Sequence, residues 1–306
     1  LLGSGGCIVK VKSACLALIL FSFAFLWGSC SREDVAVESS LREALIFYAS
    51  FDEGPDADFA LGDPTLYSLV SSKPEIVVKE GLPEEAQLKD SGGDFGSCLS
   101  FNTPEGVSGT RAFFKLKGNF PYEDSDWNGT VSFWLRLSPK EDLRPGFTDP
   151  IQLTSKSALD GGIWVDFDRE ADRDFRMGAF PDKAVWNPEN KRMTEIPNEE
   201  KPWVAADQSA FSRDRWTHVA IAIQGFNNPG KDAVATLYLD GKEKGSVVGW
   251  TQRYTWDIES AHIRLGVNFV GDLDELSCFD RDLSAAEVRE LYSLGKDASK
   301  LARSGD

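Results

Sequence analysis

The sequence predicts an all-β fold, a two-sheet antiparallel β-sandwich or jelly roll with one short C-terminal helix. Three observations lead there. From residue 45 onward, short runs rich in Val, Ile, Phe, Trp and Tyr alternate with Gly, Pro, Asn and Asp. These runs do not alternate with helices as a parallel sheet requires. Helical periodicity surfaces only near the C-terminus. The chain has 306 residues, 42% of them hydrophobic, enough for a sizeable core and against intrinsic disorder.

Taken in order, strands are expected over residues 46–51, 98–101, 111–116, 130–137, 162–167, 174–180, 217–223, 233–239, 262–267 and 275–279. Asp240-Gly241 is the dipeptide of a two-residue hairpin turn between 236–239 and a second short run. Ser284-Ala285-Ala286-Glu287 is a capping box. Val288, Leu291 and Tyr292 then make one apolar stripe, and Gly295 suits the stop. Residues 30–44 are polar and read as a tether. The folded domain is expected over 45–295, with a tail at 296–306.

Composition excludes several functions. The net charge of −16 argues against nucleic acid as a partner, since phosphate binding needs clustered Lys and Arg. Two His cannot build a three-His zinc site, and five scattered Cys suit neither a zinc ribbon nor a disulfide scaffold. His218 lies beside no nucleophile motif and reads as a structural histidine bonded to a neighbouring strand.

Residues 1–29 read as an export signal. Lys10 and Lys12 precede an apolar run over 14–27, too short to span a bilayer comfortably. Trp27-Gly28-Ser29-Cys30 resembles a bacterial lipobox, which implies lipid on Cys30 and a membrane anchor. Ser31 after it implies the outer membrane or cell surface; an ordinary cleaved signal, and a periplasmic protein, is the alternative. The first residue, Leu1, is an alternative initiation codon or a truncation. Export means an oxidising compartment, where Cys98 and Cys278 either pair or remain two small buried residues.

Several motifs occur in a telling order: Phe51-Asp52-Glu53-Gly54, Cys98-Leu99-Ser100-Phe101, Val131-Ser132-Phe133-Trp134-Leu135, Arg215-Trp216-Thr217-His218-Val219, Leu237-Tyr238-Leu239-Asp240-Gly241 and Gly271-Asp272-Leu273-Asp274-Glu275-Leu276. With the capping box they resemble the laminin-G-like (pentraxin-like) jelly roll of the concanavalin A-like lectin/glucanase superfamily, over about residues 45–295. The resemblance implies the fold and leaves the function open among lectins, adhesion modules, glycan-binding appendages and glycosidases. Two family features are missing from the sequence: the acidic double-calcium loop of pentraxins and the Glu-x-Asp-x-x-Glu run of the glucanases. Residues 138–212, with Trp164, Trp186 and Trp203, read as an elaboration of the concave side.

Two constellations could carry chemistry. On the expected strand 162–167, alternation sends Ile163, Val165 and Phe167 to the core, and Trp164, Asp166 and Asp168 to the other face. If 174–180 pairs with it, Arg176 lies across from Asp166 or Asp168. Aromatic faces stack on sugar C–H patches and charged groups bond hydroxyls, so Trp164, Asp166, Asp168 and Arg176, with Trp186 as a further aromatic, suit a glycan. Cross-strand ion pairs on a solvated face are the alternative. Catalysis by Asp166 and Asp168 as a glycoside hydrolase or lyase is a further one, because same-face residues two apart match the carboxylate spacing of inverting glycosidases. The second constellation is acidic. Asp52, Asp274 and Glu275 converge if the first and last strands are neighbours, and oxygen-rich clusters suit calcium; the resemblance implies a structural ion there. The expectation is an exported envelope protein that binds a glycan or glycosylated partner without catalysis. A structural or adhesive protein-binding module with no sugar site is the remaining alternative.

Overall fold

The computed structural model describes residues 32–72, 75–92, 95–104, 111–170 and 172–302. The expected signal, the lipidation site Cys30 and the last four residues lie outside them. Among the described residues the strands form two sheets, one of nine and one of eight strands, all neighbours antiparallel. The front sheet runs in the order Trp203–Ala206, Phe175–Phe180, Gly162–Phe167, Thr148–Thr154, His262–Val267, Arg111–Lys115, Tyr67–Ser72, Glu75–Glu80. The back sheet runs Lys242–Val247, Val234–Leu239, Thr217–Phe226, Trp127–Arg136, Val270–Phe279, Leu45–Ala49, Phe59–Ala60. Ser97–Asn102 also pairs with Val270–Phe279 and carries Ala86–Asp90 beyond it.

The inner faces of both sheets meet in one core. Phe133, Leu135, Val219, Ile221 and Leu273 come from the back sheet, and Ile151, Ile163, Val165, Phe175 and Ile263 from the front. Strict alternation supplies them, as expected of a sandwich. The hairpin at Asp240-Gly241 has positive φ at both residues, which makes it the primed turn that matches strand twist. The capping box is formed: Ser284 Oγ accepts from Glu287 N–H at 3.3 Å, and Ala285–Leu294 is helical. Val288 and Leu291 are buried, whereas Tyr292 is 38% exposed and stacks on Trp134.

Two expectations are corrected. Residues 32–44 are not a tether but the helix Arg32–Ala44. Leu41 and Ala44 bury against Leu283, Val288, Leu291 and Leu301 in a second core on the outside of the back sheet. Cys98 and Cys278 are both free and buried. Cys278 points into the central core, while Cys98 alternates with the core residues Leu99 and Phe101 and so faces the other side. Cys98 is level with Asp272 and Asp274, which bear on its thiol. Opposite faces of one sheet cannot be bridged at the 4–7 Å a disulfide spans.

Candidate site on the outer face of the front sheet

The two strands Gly162–Phe167 and Phe175–Phe180 pair with Asp166 opposite Arg176 and Trp164 opposite Gly178. Ile163, Val165, Phe167, Phe175 and Met177 face the core, so Trp164, Asp166 and Arg176 share the outer face. Arg176 grips Asp166 with two nitrogens, Nε donating to Oδ1 at 2.9 Å and Nη2 to Oδ2. The guanidinium also lies between two rings, 5.4 Å from the Phe147 centroid and 4.5 Å from that of Trp203. Lys201 Nζ stands 4.6 Å from the same Trp203 ring. These groups line a pocket of about 380 Å³.

Trp164 is a wall of this pocket and not an open platform. It is only 3% exposed, stacks on Phe180 with centroids 5.4 Å apart, and donates its Nε1–H to Ala158 C=O at 2.8 Å. Its ring occupies the space over Gly178, where an added Cβ would meet Trp164 carbons at 2.3 Å. Trp186, expected as a further contact aromatic, is buried behind it against Phe180 and donates to Leu159 C=O. It does not line the pocket with Asp166 and Arg176. The aromatics that remain accessible are Trp203 and Phe147, the latter 46% exposed. Asp168 sits at the mouth, its Oδ1 accepting from Glu170 N–H.

A carboxylate the sequence reading missed is Asp149. Against the strand Thr148–Thr154, Val165 pairs with Ile151 and Phe167 with Thr148, so Asp149 and Pro150 together oppose Asp166. This is a β-bulge, and Pro150 is its sequence signal, because proline cannot donate to a ladder. The bulge leaves Asp149 on the outer face, where it accepts a hydrogen bond from Gln152 Nε2. Burial and then the nearby Asp166 push its carboxyl up to about 7. Burial lifts Asp166 too, but its two bonds to Arg176 oppose that and hold it as the ionised member.

The acidic constellation lies on the back sheet. Asp274 is fully buried; Oδ1 accepts from Glu275 N–H at 2.9 Å, and Oδ2 has no partner among the described residues. Glu275 accepts from Tyr48 O–H, and Asp52 Oδ1 accepts from Ser97 N–H at 2.7 Å. Burial, then Glu275, pushes Asp274 up to about 10, and burial pushes Glu275 up to about 8. The orphaned Asp274 oxygen calls for a cation or a proton. Among the described residues, no three His, Cys, Asp or Glu side chains stand where they could hold a metal. Side chains of those types alone make no metal site there, and burial with Glu275 nearby favours a proton on Asp274. His218 is buried with Nε2 2.8 Å from Ser132 Oγ on the adjoining strand, and burial lowers it to about 3, a neutral structural histidine.

The laminin-G-type model of the concanavalin A-like lectin/glucanases superfamily matches residues 115–289, more than half of the chain. The chain belongs to this superfamily. Similarity to solved structures includes domain 4 of a GH43 extracellular arabinanase from Geobacillus stearothermophilus, solved with arabinotriose. That match has 16% identity, covers 85% of this chain and 98% of that one, and has a TM-score of 0.49. The botulinum neurotoxin serotype D binding domain matches at 14% identity over 84% of this chain and 52% of the other, with a TM-score of 0.51. The chain thus spans about half of that toxin domain. Curated protein sequences yield no match. At 14% identity the likeness to the toxin domain is one of fold alone, and function must be argued from the site.

Proposed function

We propose that this superfamily member is a non-catalytic glycan-binding module of the bacterial envelope, exported and anchored by lipid on Cys30. The observation that supports it is the pocket between Trp203 and Phe147, floored by the Asp166–Arg176 pair. Ligand sites combine apolar walls with a few convergent polar groups, and this pocket does both. Arg176 already spends its fork on Asp166, so it presents a fixed charged floor. The rings at the mouth are left to stack on sugar.

The test is retention of the purified protein on a panel of polysaccharides, with reducing ends assayed in the same tubes. Retention without release, weakened by Trp203→Ala and Phe147→Ala with the melting temperature unchanged, is the expected result. One observation favours a second reading. The raised carboxyl of Asp149 beside ionised Asp166 is the kind of pair that separates acid from base in glycoside hydrolysis. Release of reducing ends, abolished by Asp149→Asn, would establish it. No retention on any glycan would move the protein to a protein-binding or scaffolding role. Palmitate labelling of Cys30 tests the anchor, and an unlabelled protein removes it.

A further inference from the structure

Two arginines next to the pocket have no carboxylate of their own. Arg264 lies on His262–Val267, opposite Phe113 and Gln152. Arg111 lies two residues before Phe113 on the adjoining strand. Ile263, Leu265, Ala112 and Phe114 all face the core, so both arginines stand on the outer face. That makes them diagonal neighbours with backbones roughly 7–8 Å apart. Among the described residues neither enters an ion pair. Arg264 has one long bond to Lys156 C=O at 3.5 Å. Arg111 Nε is buried with no partner.

The chain has 49 acids against 33 bases. Carboxylates are plentiful, and Lys115, Arg136, Arg176 and Arg213 all hold one. The acid that bears on Arg111 is Asp149, which Gln152 holds and burial makes hard to ionise. Partial burial lowers both arginines; the Arg111 guanidinium lowers Arg264 further, while Asp149 opposes the shift of Arg111. His262, its ring tilted against that of Phe113 with centroids 4.0 Å apart, is lowered to about 4 by burial and then by Arg264, Arg111 and Lys115. The spot is positive and partly desolvated, and neither guanidinium is in an ion pair among the described residues. A bound oxyanion would satisfy both forks at once.

The place is continuous with the proposed sugar site. Trp164, Gln152 and Arg264 are opposite one another on three successive strands. At the ordinary spacing between strands, Arg264 is about 10 Å from Trp164, within the span of one oligosaccharide. We propose that Arg111 and Arg264 form an anion subsite, so that the ligand is an acidic glycan bearing a carboxylate or a sulfate. This rests on the glycan-binding reading and narrows it.

The experiment uses two matched pairs: polygalacturonate against its methyl ester, and dextran sulfate against dextran. Binding of the purified protein is measured at low and high salt. The expected result is retention of the charged member of at least one pair, with the carboxylate arm and the sulfate arm telling the source of the anion. The protein's net charge of −16 repels polyanions in general, so such retention reports a local site. Arg264→Gln and Arg111→Gln should each weaken the charged polymer tenfold or more and leave the melting temperature unchanged or higher. Arg264→Lys should recover only part, having the charge without the fork. Equal binding of both members of each pair, or glutamine variants that bind as the parent does, overturns the anion subsite. If neutral polymers are retained and Trp203→Ala releases them, the sugar site stands without it. Retention of no polymer overturns both.

Discussion

Arg176 holds the outer face of the front sheet together. It bonds Asp166 twice, touches two aromatic rings and is itself 9% exposed. A buried pair adds little net stability when intact, but removing one partner strands a charge. Arg176→Ala should therefore cost about 3–5 kcal/mol in urea unfolding, and Asp166→Asn/Arg176→Ala together should cost less than Arg176→Ala alone. Equal costs would mean that the pair is solvated. Asp274 makes the second prediction at this scale. Its folded carboxyl lies near 10 and that of Glu275 near 8, both raised above their unfolded values of 3.8 and 4.5. The folded state binds the extra protons, so this stability is complete below about pH 4. It declines as pH rises through 8 for Glu275 and 10 for Asp274, with a limiting slope of about 1.4 kcal/mol per pH unit for each group. Asp274→Asn should flatten the alkaline part of the decline. Chelator should leave the melting temperature unchanged; a rise in calcium would assign the Asp274 oxygen to a cation instead.

At the scale of elements, the helix Arg32–Ala44 shows what packing adds to a polar sequence. Its residues lack a broad apolar stripe, yet Leu41 is fully buried beside Val288 and Leu301. Ser40 Oγ donates to Glu287 at 3.0 Å, and Arg281 reaches Ser40 Oγ at 2.7 Å. The capped helix and the N-terminal helix are thus pinned by one set of side chains. Leu41→Ala should lower the unfolding free energy by about 2–5 kcal/mol, as for other buried leucines. A tether would show no change. The bulge at Asp149-Pro150 works at the same scale. One extra residue turns a carboxylate beside Asp166 and alters the charge of the pocket. Local alternation cannot show this, because a single insertion changes which residues share a face.

Across the whole molecule, the sandwich separates two kinds of surface. The back sheet is covered by the N- and C-terminal helices through a second apolar core. The front sheet carries the aromatic pocket, and beside it the two arginines. Among the described residues no helix is long and apolar enough to cross a membrane.

The sequence by itself determined the sandwich, the hairpin at Asp240-Gly241, the capped helix, and the face shared by Trp164, Asp166 and Arg176. Those features follow from short-range rules: period-two alternation, turn dipeptides and capping residues, all written within a few neighbouring positions. Only the tertiary structure decided that Trp164 and Trp186 are packed inward while Trp203 and Phe147 stay open, that Asp149 joins Asp166, and that Cys98 and Cys278 face opposite ways. It also brought Arg111 beside Arg264, from strands some 150 residues apart in the chain. Each of these is set by strand pairing over long sequence separations and by competition for buried volume, which no local pattern records.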